Sequence, residues 1–233
     1  MIQSKIKGIK TIIRRGLKYC NNPYIACSFG KDSTVLLYFI LQQRPDIPVV
    51  FLKSDYELPE IYEFSKWLKK EWKLNLTEID LKLNHIEVCK KIGLQHERKY
   101  EVANFFKKKP LQEYALKNNY DGVFWGLRKD ESNLRRKIIK YQGVYSKGKD
   151  GIKRISPLAF ISNYELWLII DLLKIPYCDL YKKTKFFKRE NLRNDGWLAT
   201  NKATKGRLLH LKYYYPEYFK KIEQNFPEIR WYL

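Results

Sequence analysis

Cysteine, histidine and methionine are scarce in this chain of 233 residues: there are four cysteines (Cys20, Cys27, Cys89, Cys178), three histidines (His85, His96, His210) and one methionine. No two cysteines form a C-x-x-C pair and the histidines do not cluster. Neither a zinc site nor a disulfide framework is therefore expected, and an iron–sulfur cluster would lack its paired thiolates. No apolar run approaches the roughly 18 residues that a membrane span requires. The opening stretch, "MIQSKIKGIKTIIRRGLKYC", interleaves basic residues with isoleucines. It shows neither the continuous apolar core nor the small-residue cleavage site of a secretory signal. These absences predict a reduced, cytoplasmic setting, no membrane partner and no metal ligated by the chain's own side chains.

Acidic residues are also few, with 25 Asp and Glu against 46 Lys and Arg, giving a formal net charge of +21. Disorder does not account for that charge, because 45% of the residues are hydrophobic and 15% aromatic, enough to build a core. A strong positive balance favours a polyanionic partner, either nucleic acid or a heavily phosphorylated small substrate. Surface lysines accumulated without such a partner are the alternative, and charge alone does not choose between them.

What is present has the rhythm of an α/β protein. Ile2, Ile6, Ile9, Ile13 and Leu17 recur at steps of three and four, which predicts an amphipathic helix over residues 2–19 packed on the domain; a basic membrane-surface helix is the alternative. "YIACS", "PVVFL" and "NLTEID" read as strands, separated by the helical segments "STVLLYFILQQR" and "LPEIYEFSKWLKKEWK". Strand–helix–strand–helix–strand predicts a parallel sheet with right-handed crossovers. Residues 100–118 read as a helical region interrupted around Pro110, followed by a fourth strand in "DGVFWGLR". "IIKYQGVY" and "IKRISPL" are expected as short strands around "SKGKDG", and "NYELWLIIDLLK" as a helix capped by Asn163.

Two loops carry the chemistry. In "IACSFGKDSTVLL" a strand enters a small-residue turn and a helix leaves it, so unpaired backbone N–H groups and a partial positive charge point at one spot. Gly30 allows close approach of a phosphate, Ser28 and Ser33 offer hydroxyls, and Lys31 adds charge. The spacing is not that of G-x-x-x-x-G-K-[ST], so the loop that cleaves a terminal phosphate is not indicated. An ordinary capped helix start is the alternative. The second loop, "GLRKDESNLR", follows the fourth strand and places Arg128, Glu131, Ser132 and Arg135 at the same carboxyl edge of the sheet. Arginines there suit phosphate or sulfate oxygens, and Glu131 can orient an arginine or accept a ribose hydroxyl. A solvated charge cluster is the alternative.

Together "SFGKDS", "GLRKDESNLR" and "SPLAFISNYELWLIIDLLKIPYCDLY" resemble three ordered motifs of the phosphoadenosine-phosphosulfate reductase family, within the PP-loop adenine nucleotide α-hydrolases. The likeness runs from about residue 20 to 181. It implies a Rossmann-like, mostly parallel sheet of about five strands with helices on both faces. It implies an adenine nucleotide as ligand, either ATP with Mg²⁺, cleaved between its α- and β-phosphates to adenylate an acceptor, or a sulfonucleotide (PAPS or APS). By this resemblance the nucleotide is held by Ser28, Phe29, Gly30, Lys31, Asp32 and Ser33, by Lys53, Ser54 and Asp55 after the second strand, and by Gly126, Arg128, Glu131, Ser132 and Arg135. Lys31, Asp32 and Arg128 are the implied catalytic side chains, with Lys31 neutralising charge on departing pyrophosphate. Two departures stand out. "FLKSDYELPE" puts Lys53 and Ser54 where the family has an acid and a hydroxyl, with Asp55 at its glycine, and no cysteine follows Cys178 to supply the thiolate of sulfonucleotide reduction. ATP cleavage is therefore the expected activity, with sulfonucleotide reduction and a non-catalytic binding module as alternatives.

The expected division is a nucleotide-binding unit over 1–181 and a basic, aromatic-rich helical extension over 182–233. The extension interleaves Lys202, Lys205, Arg207, Lys212, Lys220 and Lys221 with Tyr213, Tyr214, Tyr215, Tyr218, Phe219 and Trp231. That pattern suits tRNA or DNA; aromatics covering a core beneath solvated lysines are the alternative. Trp197 is placed at the pocket mouth, and His210 as a packed histidine.

Overall fold

In the computed structural model residues 2–55, 57–81, 84–92, 108–193 and 206–233 are described. The helix expected at the start is α1 (Ile2–Tyr19), which buries Ile6, Ile9, Ile13 and Gly16. Its apolar stripe is therefore spent on the protein core, which removes the membrane-surface alternative. Gly16 is needed there, because a Cβ would stand 2.9 Å from the Phe124 ring.

β1 (Pro23–Ala26), α2 (Lys31–Leu41), β2 (Val49–Lys53), α3 (Pro59–Glu71) and β3 (Leu76–Asp80) follow as the alternating pattern predicts. After α4 (His85–Ile92) and α5 (Lys109–Lys117) the chain returns to β4 (Gly122–Phe124). Pro110 lies in the first turn of α5, where its missing N–H costs no helical hydrogen bond. Residues 100–107 of that expected helical region lie outside the described residues.

One expectation is corrected next. "IIKYQ" is helical, part of α6 (Asn133–Gln142), and only Tyr145–Lys147 (β5) pairs with Lys153–Ile155 (β6) as an antiparallel hairpin. Ser132 caps α6 by accepting the Arg135 N–H at 3.2 Å, and that cap carries the helical frame into a β-branched run. α7 (Asn163–Leu173) is capped by Ser162 rather than Asn163: Ser162 and Glu165 exchange side-chain and backbone bonds of 3.1 and 2.7 Å. α8 (Arg207–Tyr214) and α9 (Pro216–Asn225) are the last α-helices among the described residues.

Among the described residues the sheet has six strands in the order β3-β2-β1-β4-β6-β5, all parallel except the β5–β6 pair. β5 is the antiparallel edge that a hairpin permits without a crossover. Alternation sends Ile25, Val49, Phe51, Phe124 and Ile155 to one face, where α1, α2 and α7 pack. Tyr24, Val50 and Val123 point to the other, covered by Leu111, Tyr114 and Ala115 of α5. Leu208, Leu211, Phe219 and Ile222 from α8 and α9 join the larger core cluster. From β1 the chain winds outward through β2 and β3, then crosses back to β4 on the other side of β1. The loops after β1 and β4 thus diverge at the topological switch point, the place where parallel α/β sheets leave a crevice.

Candidate functional site

β1 ends in Cys27-Ser28-Phe29-Gly30 and α2 begins at Lys31. The left-handed turn falls on Phe29, at φ 53°, while Gly30 keeps an ordinary φ of −73° as the N-cap. The strain at a non-glycine residue, about 1–2 kcal/mol, is offset by complete burial of the Phe29 ring edge-on to Phe51, with centroids 5.0 Å apart. Ser33 Oγ donates to the Gly30 carbonyl at 3.0 Å and lies 3.4 Å from Ser28 Oγ. The Lys31 N–H donates to the Tyr181 hydroxyl at 3.0 Å. The next two N–H groups have no acceptor within the helix, as in any first turn.

Asp32 ties the two loops together. Its carboxylate accepts from Lys31 Nζ at 3.0 Å and from Arg128 Nε. Arg128 is 2% exposed and gives its remaining bonds to protein: Nη1 to the Ile161 carbonyl (3.1 Å) and Nη2 to Asn163 Oδ1 (3.3 Å). Burial works to raise the Asp32 carboxyl, but the charges and hydrogen bonds of Lys31 and Arg128 outweigh it and hold the group below its ordinary value. Burial pushes the Lys31 ammonium below its ordinary value, against the pull of Asp32. Gly126 lets the β4 loop lie flat on this turn, for a Cβ there would stand 3.1 Å from both the Asp32 carbonyl carbon and the Ser33 nitrogen.

Around these groups lies a cavity of about 440 Å³. Lys31, Arg128, Asp130 and Glu131 form one wall and Asn163 another; Phe187, Glu190, Asn191, Arg193 and Arg207 close it from the C-terminal side. Its charged lining holds four cations against three carboxylates. Of the expected site residues, Lys31, Arg128 and Glu131 line this space and Asp32 braces it. Ser132 serves as the α6 cap, and Arg135 is bonded to Glu131.

The β2 end stands apart from the cavity lining. Lys53 Nζ sits 3.4 Å from Glu78 on β3 and 5.6 Å from the Tyr62 ring centroid. The Tyr62 hydroxyl grips the Ser54 backbone at both its N–H and its carbonyl, and Asp55 is exposed.

Of the C-terminal wall only Arg207 was singled out in the sequence, as a cation of the basic extension. "FKRENLR" looks like solvated basic chain, yet Leu192 is 1% exposed and Arg189 stacks 4.4 Å over Trp167 while pairing with Asp171 at 2.7 Å. The buried Leu192 is the one local signal that could have marked it. Trp197 lies outside the described residues, as do Lys202 and Lys205. His210 is fully buried among Phe186, Phe187, Tyr214 and Tyr215, and burial pushes its imidazole down to about 4.

All four cysteines are free and buried. Burial pushes the thiols of Cys20, Cys27 and Cys89 up to about 11 and that of Cys178 to about 12. No thiolate is available from them near neutral pH. Among the described residues no group of three or more His, Cys, Asp or Glu could hold a metal ion, and no helix is long and apolar enough to cross a membrane.

A mostly parallel α/β sheet with a charged cavity at its switch point defines a nucleotide-binding class of fold. The chain belongs to the phosphoadenosine phosphosulfate reductase domain family, whose profile matches residues 22–218. It is 33% identical over 160 residues to the adenosine 5'-phosphosulfate reductase of Halalkalibacterium halodurans, covering 68% of either chain. It is 28% identical over 165 residues to the phosphoadenosine 5'-phosphosulfate reductase of Xanthomonas oryzae pv. oryzae, covering 68% of this chain and 66% of that one. The chain thus spans about two thirds of the length of these curated relatives. The crystal structure of phosphoadenylyl-sulfate reductase from Candida auris superposes with a TM-score of 0.59 at 19% identity, over 75% of this chain and 83% of that one.

Proposed function

We propose that the cavity binds an adenine nucleotide carrying a second anionic group, and that this nucleotide is a sulfonucleotide of the APS or PAPS class. The names of the curated relatives support that ligand over ATP, which corrects the order of preference drawn from the sequence. The single observation that carries the binding site is the convergence of the α2 first turn, Lys31, Arg193 and Arg207 on one cavity at the switch point. Backbone N–H groups and cations together suit a phosphosulfate or pyrophosphate tail. In this arrangement Asp32 and Arg128 are positioning residues, locking Lys31 and the second loop into one rigid floor.

Cleavage of ATP between its α- and β-phosphates is the second reading, favoured by the state of the thiols. Reduction of a sulfonucleotide needs a thiolate to attack sulfur, breaking the sulfur–oxygen bond to phosphate, and the four cysteines here are buried as thiols. Magnesium in that reading arrives with the nucleotide's phosphates, with Asp130, Glu131 and Glu190 as the carboxylates that line the cavity.

Isothermal titration with APS, PAPS and Mg-ATP, followed by product analysis with and without a dithiol, tests both readings. Binding of APS or PAPS at least tenfold tighter than ATP, weakened in a folded Lys31→Ala variant, is the expected result. Formation of AMP and pyrophosphate, with no sulfonucleotide binding, would transfer the conclusion to the second reading. No binding of any of the three ligands would sink both.

A further inference from the structure

The rim beside the cavity carries charge and aromatic surface that nucleotide binding does not use. α6, "NLRRKIIKYQ", holds Arg135, Arg136, Lys137 and Lys140, has no carboxylate, and buries only Ile139. Arg136 reaches the neutral Asn133 side chain at 3.1 Å, and Lys140 lies 5.7 Å from the Tyr141 ring centroid. Among the described residues no carboxylate pairs with Arg136, Lys137 or Lys140. On the same rim four large apolar side chains are exposed: Leu134 (63%), Tyr141 (77%), Phe160 (49%) and Tyr164 (75%).

The segments that carry these groups are packed and hydrogen-bonded to one another. Ile139 packs with Leu127 and Ala159 in a small cluster that seats α6 on both loops. The Lys129 N–H donates to the Ala159 carbonyl at 3.0 Å, and Lys129 Nζ lies 5.1 Å over the Phe160 ring. The Asn163 N–H donates to Asp130 Oδ2 at 2.8 Å. The same segments supply Arg128, Asp130, Glu131 and Asn163 to the cavity, so anything lying along α6 ends at its mouth.

We propose that this rim docks a single-stranded nucleic acid, with Arg136, Lys137 and Lys140 on its phosphates and the exposed rings stacked on unpaired bases. Cations without counter-ions set among exposed aromatic faces are the arrangement that single strands use, and the net charge of +21 matches a polyanion. The C-terminal helices, where the sequence pattern placed this role, fit it less well. Residues 206–233 hold five Lys and Arg against three Glu, Arg230 is paired with Glu223 at 2.8 Å, and Tyr215, Phe219 and Phe226 are buried in the core. α1 is as basic as α6, with six cations and no carboxylate, but among its residues only Tyr19 is a large exposed apolar side chain. The inference does not depend on which nucleotide the cavity holds.

Fluorescence anisotropy at about 0.1 M salt tests it, using a labelled single-stranded RNA, the DNA of the same sequence, its duplex and polyglutamate. The single strands are expected to bind tighter than the duplex or polyglutamate. The triple variant Arg136→Ala/Lys137→Ala/Lys140→Ala should lower the slope of log affinity against log salt by about 2. Tyr141→Ala/Tyr164→Ala should weaken single-strand binding about tenfold or more and leave duplex binding unchanged. Both variants change exposed residues, and circular dichroism confirms that they fold. Lys7→Ala/Arg14→Ala/Lys18→Ala on α1 is the control and should bind like the unaltered chain. Absence of single-strand binding would overturn the inference. So would an equal loss in the α1 variant, or polyglutamate binding as tightly as RNA, which would point instead to an acidic protein partner.

Discussion

Replacing Asp32 by Asn keeps the shape of the side chain and removes the charge that Lys31 and Arg128 share. Lys31 is 5% exposed and Arg128 2% exposed, so Lys31 would remain out of water without a counter-ion and Arg128 would keep only the Asp130 carboxylate, 3.7 Å from its Nη1. Breaking a buried pair costs about 3–5 kcal/mol. The Asp32 side chain is itself 18% exposed, which lets some solvent screen the loss and puts the expected cost at the lower end, about 3 kcal/mol. For a chain of this size that corresponds to a fall in melting temperature of roughly 6–12 °C. Urea unfolding at neutral pH measures the free energy, and the double variant Lys31→Met/Asp32→Asn should recover part of it because one stranded cation is gone. The pH dependence has a definite sign. The carboxyl is held below its unfolded value, so its contribution is complete above the unfolded pKa of about 4 and is lost as pH falls through the lower folded value. The difference between variant and unaltered chain should therefore be constant through the neutral range and close only in strong acid. A cost below about 1 kcal/mol would put the Asp32 contacts in the class of exposed ion pairs and refute this account of the site.

Three further outcomes follow from the same geometry. Gly126→Ala should destabilise by about 1–3 kcal/mol and weaken nucleotide binding, since its Cβ would press on the α2 first turn at 3.1 Å; unchanged urea midpoints and ligand affinity would contradict that. The four thiols should react with Ellman's reagent only after unfolding, and one fast native thiol at neutral pH would revive the chain's own cysteine as a nucleophile. His210, held neutral with a pKa of about 4, contributes stability that is complete above its unfolded value of 6.5 and is lost as pH falls toward 4. His210→Phe should flatten the stability profile across that window, and an unchanged slope would show that the imidazole is not the group titrating.

Much of the architecture was legible because it depends on local pattern. Strand and helix alternation from Tyr24 to Asp80 follows from runs of β-prone residues and apolar steps of three and four, and these govern burial wherever the neighbours lie. The misread elements share one cause. "IIKYQ" has strand-forming composition, but Ser132 had already started the helix ahead of it, and a cap with a hydrogen bond outweighs a weak propensity. At α7 two adjacent polar residues, Ser162 and Asn163, could each cap, and Glu165 selects Ser162 by completing the reciprocal bond.

For the site, the sequence by itself determined that two loops with Lys31, Asp32, Arg128 and Glu131 leave parallel strands at the same edge, since that follows from strand direction and loop order. It also fixed the shortage of thiols and the excess of cations. Only the tertiary structure decided what each group does there. It turned Asp32 from a lone acid into the counter-ion of two buried cations, gave Lys53 to Glu78 and away from the cavity, and brought Arg193 and Arg207 across from the C-terminal segment. Apart from the adjacent Lys31 and Asp32, those groups are brought together from positions far apart in the chain, and no local period records which charges meet. Between Asp32 and Arg128 the pairing is set by burial, where an ion without a partner is too costly to keep.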